Sequence, residues 1–179
     1  GIATDKLEDD TLLYSFLNRA ESIIESYTGR VFEAETATKY FDSTCIEGQR
    51  LHLEGYDLLT VTKLTNGDTS ATEITSAHYK LEPRNDNPKW AIRLDSDTTW
   101  EFDEDDSEIT VAGTWGYCAT APDNIKHACI RLAAFLYRQK DTSADIDRPL
   151  VTGDGVTIMP SGFPQDVKSL LDTYKRRIA

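Results

Sequence analysis

The densest chemistry in this 179-residue chain is acidic. Residues 95 to 108, Asp-Ser-Asp-Thr-Thr-Trp-Glu-Phe-Asp-Glu-Asp-Asp-Ser-Glu, hold eight carboxylates and no Lys or Arg. Carboxylates this close together could bind a hard cation or do acid–base work on a glycosidic bond. A calcium loop needs alternating oxygen ligands, a glycine for the sharp turn and a distal bidentate glutamate. Asp103-Glu104-Asp105-Asp106 lacks that glycine and has no glutamate at the right offset. Glu101 and Asp103 could share a strand face like a glycosidase pair, but two spaced carboxylates inside an acid-rich run are a weak signal of one. The plainer reading is a solvated acidic loop.

The other reactive side chains are dispersed. His52, His78 and His127 stand far from one another, and HExxH, P-loop, GxGxxG and GxSxG patterns are absent. A nucleophilic site would need folding to bring a Ser or Cys to one of these histidines. Cys45, Cys118 and Cys129 are an odd number at unrelated spacings, with no CxxC pair. They are expected to be reduced, buried structural thiols in a protein made in a reducing cytoplasm. Trp90, Trp100 and Trp115 could line a sugar or base platform, yet core packing is the commoner use of tryptophan and is the expectation here. No catalytic, cofactor-binding or metal-ligating residue is assigned.

Charge and length narrow the classes further. The formal net charge is −12, and the stretch from 95 to 108 supplies eight of those negative charges. A protein that grips phosphates concentrates Lys and Arg on one face, so ordinary nucleic-acid binding is not expected. The longest apolar run, Leu132 to Tyr137, is far short of the roughly 20 residues that cross a bilayer. The N-terminus has no positive segment followed by an apolar core, so no secretory signal is expected.

The elements that must position these groups follow from periodicity. Leu12, Leu13, Phe16, Leu17, Ala20, Ile23, Ile24 and Tyr27 recur at helical spacing and predict a helix over 10–28. Asp9 or Asp10 can cap it, and Gly29 supplies the stop. From 38 to 115 the period shortens to that of strands, with runs at 39–41, 50–53, 58–64, 78–81, 90–94 and 108–114. Asn66-Gly67 is read as a type I′ hairpin turn. Helical period returns over 122–140, with Pro122 in the first turn, where its missing N–H costs nothing. A hairpin is expected near 150–158, turning at Gly153-Asp154-Gly155, and a last helix over 165–178. The fold class is α+β: a small helical bundle (N-terminal, central and C-terminal helices) from 1–37 and 116–179, carrying an inserted antiparallel β-rich module at 38–115.

Three segments resemble a known family. Asp10-Thr11-Leu12-Leu13 and Ala20-Glu21-Ser22-Ile23-Ile24-Glu25-Ser26-Tyr27-Thr28-Gly29-Arg30-Val31-Phe32 are similar to the opening helix of phage head–tail connector (adaptor) proteins of long-tailed bacteriophages. Ile109-Thr110-Val111-Ala112-Gly113-Thr114-Trp115-Gly116-Tyr117, leading to Pro122-Asp123-Asn124-Ile125-Lys126-His127-Ala128, resembles the family's strand, aromatic-glycine turn and proline-started helix. Phe163-Pro164-Gln165-Asp166-Val167 through Leu170-Leu171-Asp172-Thr173-Tyr174 is similar to its closing helix. Together these cover under half of the chain. The β-rich middle is longer than in compact members.

The resemblance implies a structural, non-enzymatic subunit of the virion neck, synthesised in the host cytoplasm and without cofactors. It implies a homo-oligomeric ring, commonly a dodecamer, between the portal protein and a stopper or tail-completion protein, with no membrane. Genomic DNA would pass through the lumen without sequence-specific binding. Glu101, Asp103, Glu104, Asp105, Asp106 and Glu108 would then line the lumen, where carboxylates repel phosphate, or lie on the outer rim. Tyr174, Lys175, Arg176, Arg177 and Ile178 are portal-docking candidates that would order on binding; the plainer role is a basic end satisfying the helix dipole. Val151, Val156 and Ile158 of the hairpin are candidates for pairing with a neighbouring subunit's sheet edge. The alternatives are another neck subunit such as a stopper, a calcium- or carbohydrate-binding surface β-module, and a small hydrolase whose site forms only on folding.

Overall fold

The structure, a computed structural model, describes residues 7–103, 108–139, 150–151, 157–158 and 164–176. They form three helices, two antiparallel sheets and a two-stranded ribbon, the α+β class expected from the sequence. The chain divides into two compact units, Gly1–Gly29 with Pro122–Ala179, and Arg30–Ala121. None of the described helices is long and apolar enough to cross a membrane.

In the first unit, α1 (Leu7–Thr28), α2 (Asp123–Gln139) and α3 (Gln165–Asp172) pack on one another. Ala20, Ile24 and Thr28 recur every four residues on α1 and are buried, as a helical repeat of 3.6 requires of one face. Ile125, Ala128, Leu132, Ala133 and Leu136 of α2 and Val167 and Leu171 of α3 are buried as well, where the three helices pack on one another. Each large aliphatic side chain removed from water there stabilises the unit by about 1.5–3 kcal/mol. Phe16 meets the ring of Tyr137 edge-on at 5.8 Å, and Arg131 reaches Asp166 at 2.9 Å. Two expectations change. Asp9 and Asp10 fall within the first turn of α1 rather than ahead of it. The buried stripe is also narrower than the apolar one, since Leu13 is 45% exposed. α1 stops at Gly29, whose φ of +68° and N–H bond to the Glu25 carbonyl (2.8 Å) form the expected cap. The expected hairpin is present as β8 (Leu150–Val151) antiparallel to β9 (Thr157–Ile158).

The second unit holds β1 (Glu35–Phe41), β2 (Ile46–Glu47), β3 (Arg50–His52), β4 (Leu58–Thr65), β5 (Tyr79–Glu82), β6 (Ala91–Leu94) and β7 (Ile109–Trp115). They make a three-stranded sheet, order β1-β7-β4, and a four-stranded sheet, order β2-β3-β6-β5. One core serves both: Phe41, Leu51, Leu53, Leu58, Leu64, Ile92, Leu94, Ile109, Val111 and Trp115 are buried in a single cluster. Strand period 2 explains the membership, because Ile109, Val111, Gly113 and Trp115 are buried while Thr110, Ala112 and Thr114 between them are only partly so.

The turn read at Asn66-Gly67 is corrected. β4 pairs with β7 and β5 with β6, so these residues do not join two neighbouring strands. Asn66 donates its N–H to the Thr72 carbonyl (2.9 Å) and Gly67 to the Glu101 carbonyl (3.0 Å). Gly67 is needed for close approach, since a Cβ there would lie 2.8 Å from the Phe102 ring.

Gly113 is the tightest point of the central strand. β4 shifts register against β7 between Leu58 and Thr60 and again between Val61 and Lys63, and these irregularities bring the Thr60 carbonyl over Gly113. A Cβ at 113 would sit 2.1 Å from that oxygen. Gly113→Ala is therefore expected to destabilise the protein by about 3 kcal/mol, read as a lower denaturant midpoint. An unchanged midpoint would mean that β4 has room to move.

Candidate assembly surfaces

The C-terminal end is anchored as far as it is described. α3 gives way to a turn in which Thr173 and Tyr174 donate their N–H groups to the carbonyls of Leu170 (3.1 Å) and Leu171 (3.0 Å). The chain then runs back to the end of α1, where the Arg176 N–H bonds to the carbonyl of buried Thr28 at 2.9 Å. The Lys175 ammonium lies 4.1 Å from the Tyr27 ring centre and 3.8 Å from Asp172. Tyr27 donates its hydroxyl to Asp172 at 2.5 Å, and that carboxylate raises the pKa of the phenol. Tyr174, Lys175 and Arg176 thus belong to the folded helical unit. Arg177 and Ile178 lie outside the described residues.

The acidic stretch is less of a solvated loop than its composition suggests. Trp100 and Phe102 pack against the core, while Glu101, Asp103 and Glu108 are exposed. Glu101 is held through its backbone, its N–H bonding to Asn66 Oδ1 (3.2 Å) and its carbonyl accepting from Gly67. Asp103 accepts the Thr69 N–H at 2.6 Å, and hydrogen bonding from Thr69 lowers its pKa. Asp95 pairs with Lys80, which lowers its pKa, and Asp97 lies 3.6 Å from His78. Glu104, Asp105 and Asp106 lie outside the described residues. Among the described residues no three His, Cys, Asp or Glu side chains converge on a cation-sized point.

The hairpin candidates are described only in their backbone. Leu150 pairs with Ile158 and Val151 with Thr157; Val156 lies outside the described residues. The thiols are uneven: Cys45 is buried, Cys118 and Cys129 only partly so. Burial pushes the Cys45 and Cys129 thiols up in pKa, which leaves them protonated at neutral pH.

One surface was missed. Trp90, expected in the core, is 49% exposed. It stacks on His52 (5.9 Å between ring centres, 20° between planes) with the Arg50 guanidinium 5.7 Å from its ring centre. Arg50 is fixed by Glu82 at 2.7 Å. The signal was the alternation Arg50-Leu51-His52-Leu53, which puts Arg50 and His52 on the face opposite the core. A pocket of about 330 Å³, lined by residues that include Ser43, Ile46, Gln49, Trp100 and Phe102, opens elsewhere on this unit. Gln49 Oε1 and Trp100 Nε1 are buried without a hydrogen-bond partner among the described residues.

Comparison with known proteins gives a family and a fold. A family model described as "HCP: Head completion protein" matches residues 1–177. A chain from the "Neck of native GTA particle computed with C12 symmetry" superposes with a TM-score of 0.63 at 19% identity, covering 93% of this chain and 84% of that one. A chain from the "Neck of empty GTA particle computed with C6 symmetry" gives 0.63 at 22% identity over 95% and 81%. A chain from the "Virion of native gene transfer agent (GTA) particle" gives 0.63 at 21% identity over 100% and 84%. At these identities the likeness is one of fold. No curated protein matches the sequence.

Truncation after Thr173 is expected to lower stability by about 1–3 kcal/mol, because it leaves the buried Thr28 end of α1 without its partner. Denaturant unfolding of the truncated chain measures this, and no change would show that the end contributes nothing to the fold. Asp103 gives a pH signature. Its carboxylate titrates lower folded than unfolded, so its bond to Thr69 stabilises above about pH 4 and is lost as pH falls through the lower folded value. The Thr69 amide resonance should titrate with a midpoint below about 4 and lose that step in Asp103→Asn.

Proposed function

We propose that this chain, which belongs to the head completion protein family, is a head–tail connector (adaptor) subunit of a phage-type neck. In this role it assembles as a homo-oligomeric ring between the portal protein and a stopper or tail-completion protein, and lines the DNA passage. The match of the family model across residues 1–177 carries the reading. The fold is that of chains described as belonging to a particle neck with C12 or C6 symmetry, which supports a dodecameric ring in the virion.

The physical chemistry agrees with a passive wall. A net charge of −12 repels the phosphate backbone. Glu101, Asp103 and Glu108 are exposed carboxylates on a segment anchored to the sheet core, so they can present negative charge without collapsing onto a passing duplex. Glu104, Asp105 and Asp106 continue that charge. Portal docking falls to the basic, aromatic C-terminal stretch Tyr174, Lys175, Arg176, Arg177 and Ile178. Val151, Val156 and Ile158 of the hairpin serve contacts between copies. The work is structural and needs neither cofactor nor catalytic residue.

A stopper would bind one ring further from the head, so the order of addition separates the two roles. The chain is mixed with a portal ring alone and the complex is weighed by native mass spectrometry and imaged. Twelve copies seated directly on the portal are expected. Failure to bind until another neck protein is present would assign the chain to a later ring and end the adaptor reading.

A further inference from the structure

A ring closes by head-to-tail contacts, so each subunit must carry two different surfaces that fit each other. The outer edge of β1 has the properties of one. β1 is the outermost strand of its sheet, and its seven residues pair with β7 in one unbroken register, from Glu35 opposite Trp115 to Phe41 opposite Ile109. Only alternate backbone groups of an edge strand face its single neighbour, and the rest point outward. Natural edges are blunted by short length, proline, a bulge, lysine or a covering segment. β1 is long, has no proline and shows no register shift. Its one lysine does not guard it, because Lys39 lies over the rings of Tyr56 (4.3 Å) and Trp115 (5.6 Å). The Ala37 carbonyl is already engaged by the Trp115 indole at 3.0 Å.

No other described strand bridges to β1. The opposite edge of the same sheet is different. Leu58 of β4 bridges to Lys89 and Thr65 to Glu73, and Leu64 accepts the Ile74 N–H at 2.8 Å. Among the described residues the sheet is thus covered on one side and open on the other.

The second surface is the β8–β9 hairpin. A two-stranded ribbon is marginal in water and gains stability from a third strand or a packed face. β8 and β9 pair with each other and with no other described strand. Among the described residues the edge has no outer strand and the hairpin no third one.

We infer that the β8–β9 hairpin of one copy adds to the β1 edge of the next, giving a sheet that runs across the subunit boundary. The occupant is a second copy of this chain. An open edge recognises extended backbone, and each copy carries in β8–β9 a short ribbon that pairs with no other described strand. The inference rests on the ring reading above and names the surfaces that would close it.

Cysteine cross-linking tests it. Thr36→Cys or Thr38→Cys, both at exposed positions of β1, is combined with Val151→Cys in the full chain, mixed with a portal ring and mildly oxidised. A non-reducing gel should show a ladder of covalent multimers extending beyond the dimer, lost when either substitution is made alone. Thermal unfolding confirms that the variants remain folded. A ring of full mass without a ladder would overturn the edge pairing while leaving the ring intact. A cross-link to the portal protein instead would assign the edge to that partner and overturn the inference. Failure of the unsubstituted chain to form any ring would remove the ring reading and this inference with it.

Discussion

β7 is the strand on which the second unit depends. It is the middle strand of its sheet and hydrogen-bonds to β1 along one side and β4 along the other. Its inward residues Ile109, Val111 and Trp115 are buried in the core shared with the four-stranded sheet. Trp115 also reaches sideways, donating its indole N–H to the Ala37 carbonyl and meeting Phe41 at 6.1 Å and Tyr56 at 5.9 Å between ring centres. A buried indole with its N–H satisfied contributes area without an orphaned donor. Gly113 completes the strand by having no side chain where the Thr60 backbone passes. A substitution on this strand therefore acts on both its neighbours and on the core at once.

The polar groups of the protein mostly hold backbone in place. Lys89 is 8% exposed, and its ammonium donates to the carbonyls of Pro83 (2.7 Å), Arg84 (3.2 Å) and Asp86 (2.6 Å). A cation caged by three carbonyls does for this loop what a bound metal ion does elsewhere, and it offsets the cost of burying the charge. Arg30 clasps Asp57 with one guanidinium nitrogen 2.8 Å from each carboxylate oxygen. Asp68 caps its turn through the Thr72 N–H and hydroxyl. In each case the ionic group fixes a segment between strands.

Much of this was legible from residue types. The helices announce themselves because Ala20 and Ile24 of α1, and Ile125, Leu132 and Leu136 of α2, repeat at the helical period with a glycine or proline at the boundary. Strand positions were equally plain, since β-type runs leave period-2 alternation. What periodicity does not encode is which strand lies beside which. β4 and β5 are consecutive in the chain yet belong to different sheets, and Asn66-Gly67 looks like a hairpin turn because its local chemistry suits one. Tertiary bonds from Thr72 and Glu101 decide the matter. Trp90 fails for a related reason: its size argues for the core, but the core side of its sheet is already filled by Leu51, Ile92 and Leu94.

The acidic segment shows how composition and pattern can point in different directions. Eight carboxylates in fourteen residues suggest solvent throughout, yet Trp100-Glu101-Phe102-Asp103 alternates aromatic and acidic residues with the period of a strand. The aromatic pair is packed on the core and the acids face outward. Anchoring decides where that charge sits. An untethered acidic loop would carry its carboxylates wherever repulsion among them pushed it. The segment pinned by Phe102, the Gly67 contact and the Asp103–Thr69 bond instead holds Glu101 and Asp103 at fixed places on the surface of the sheet.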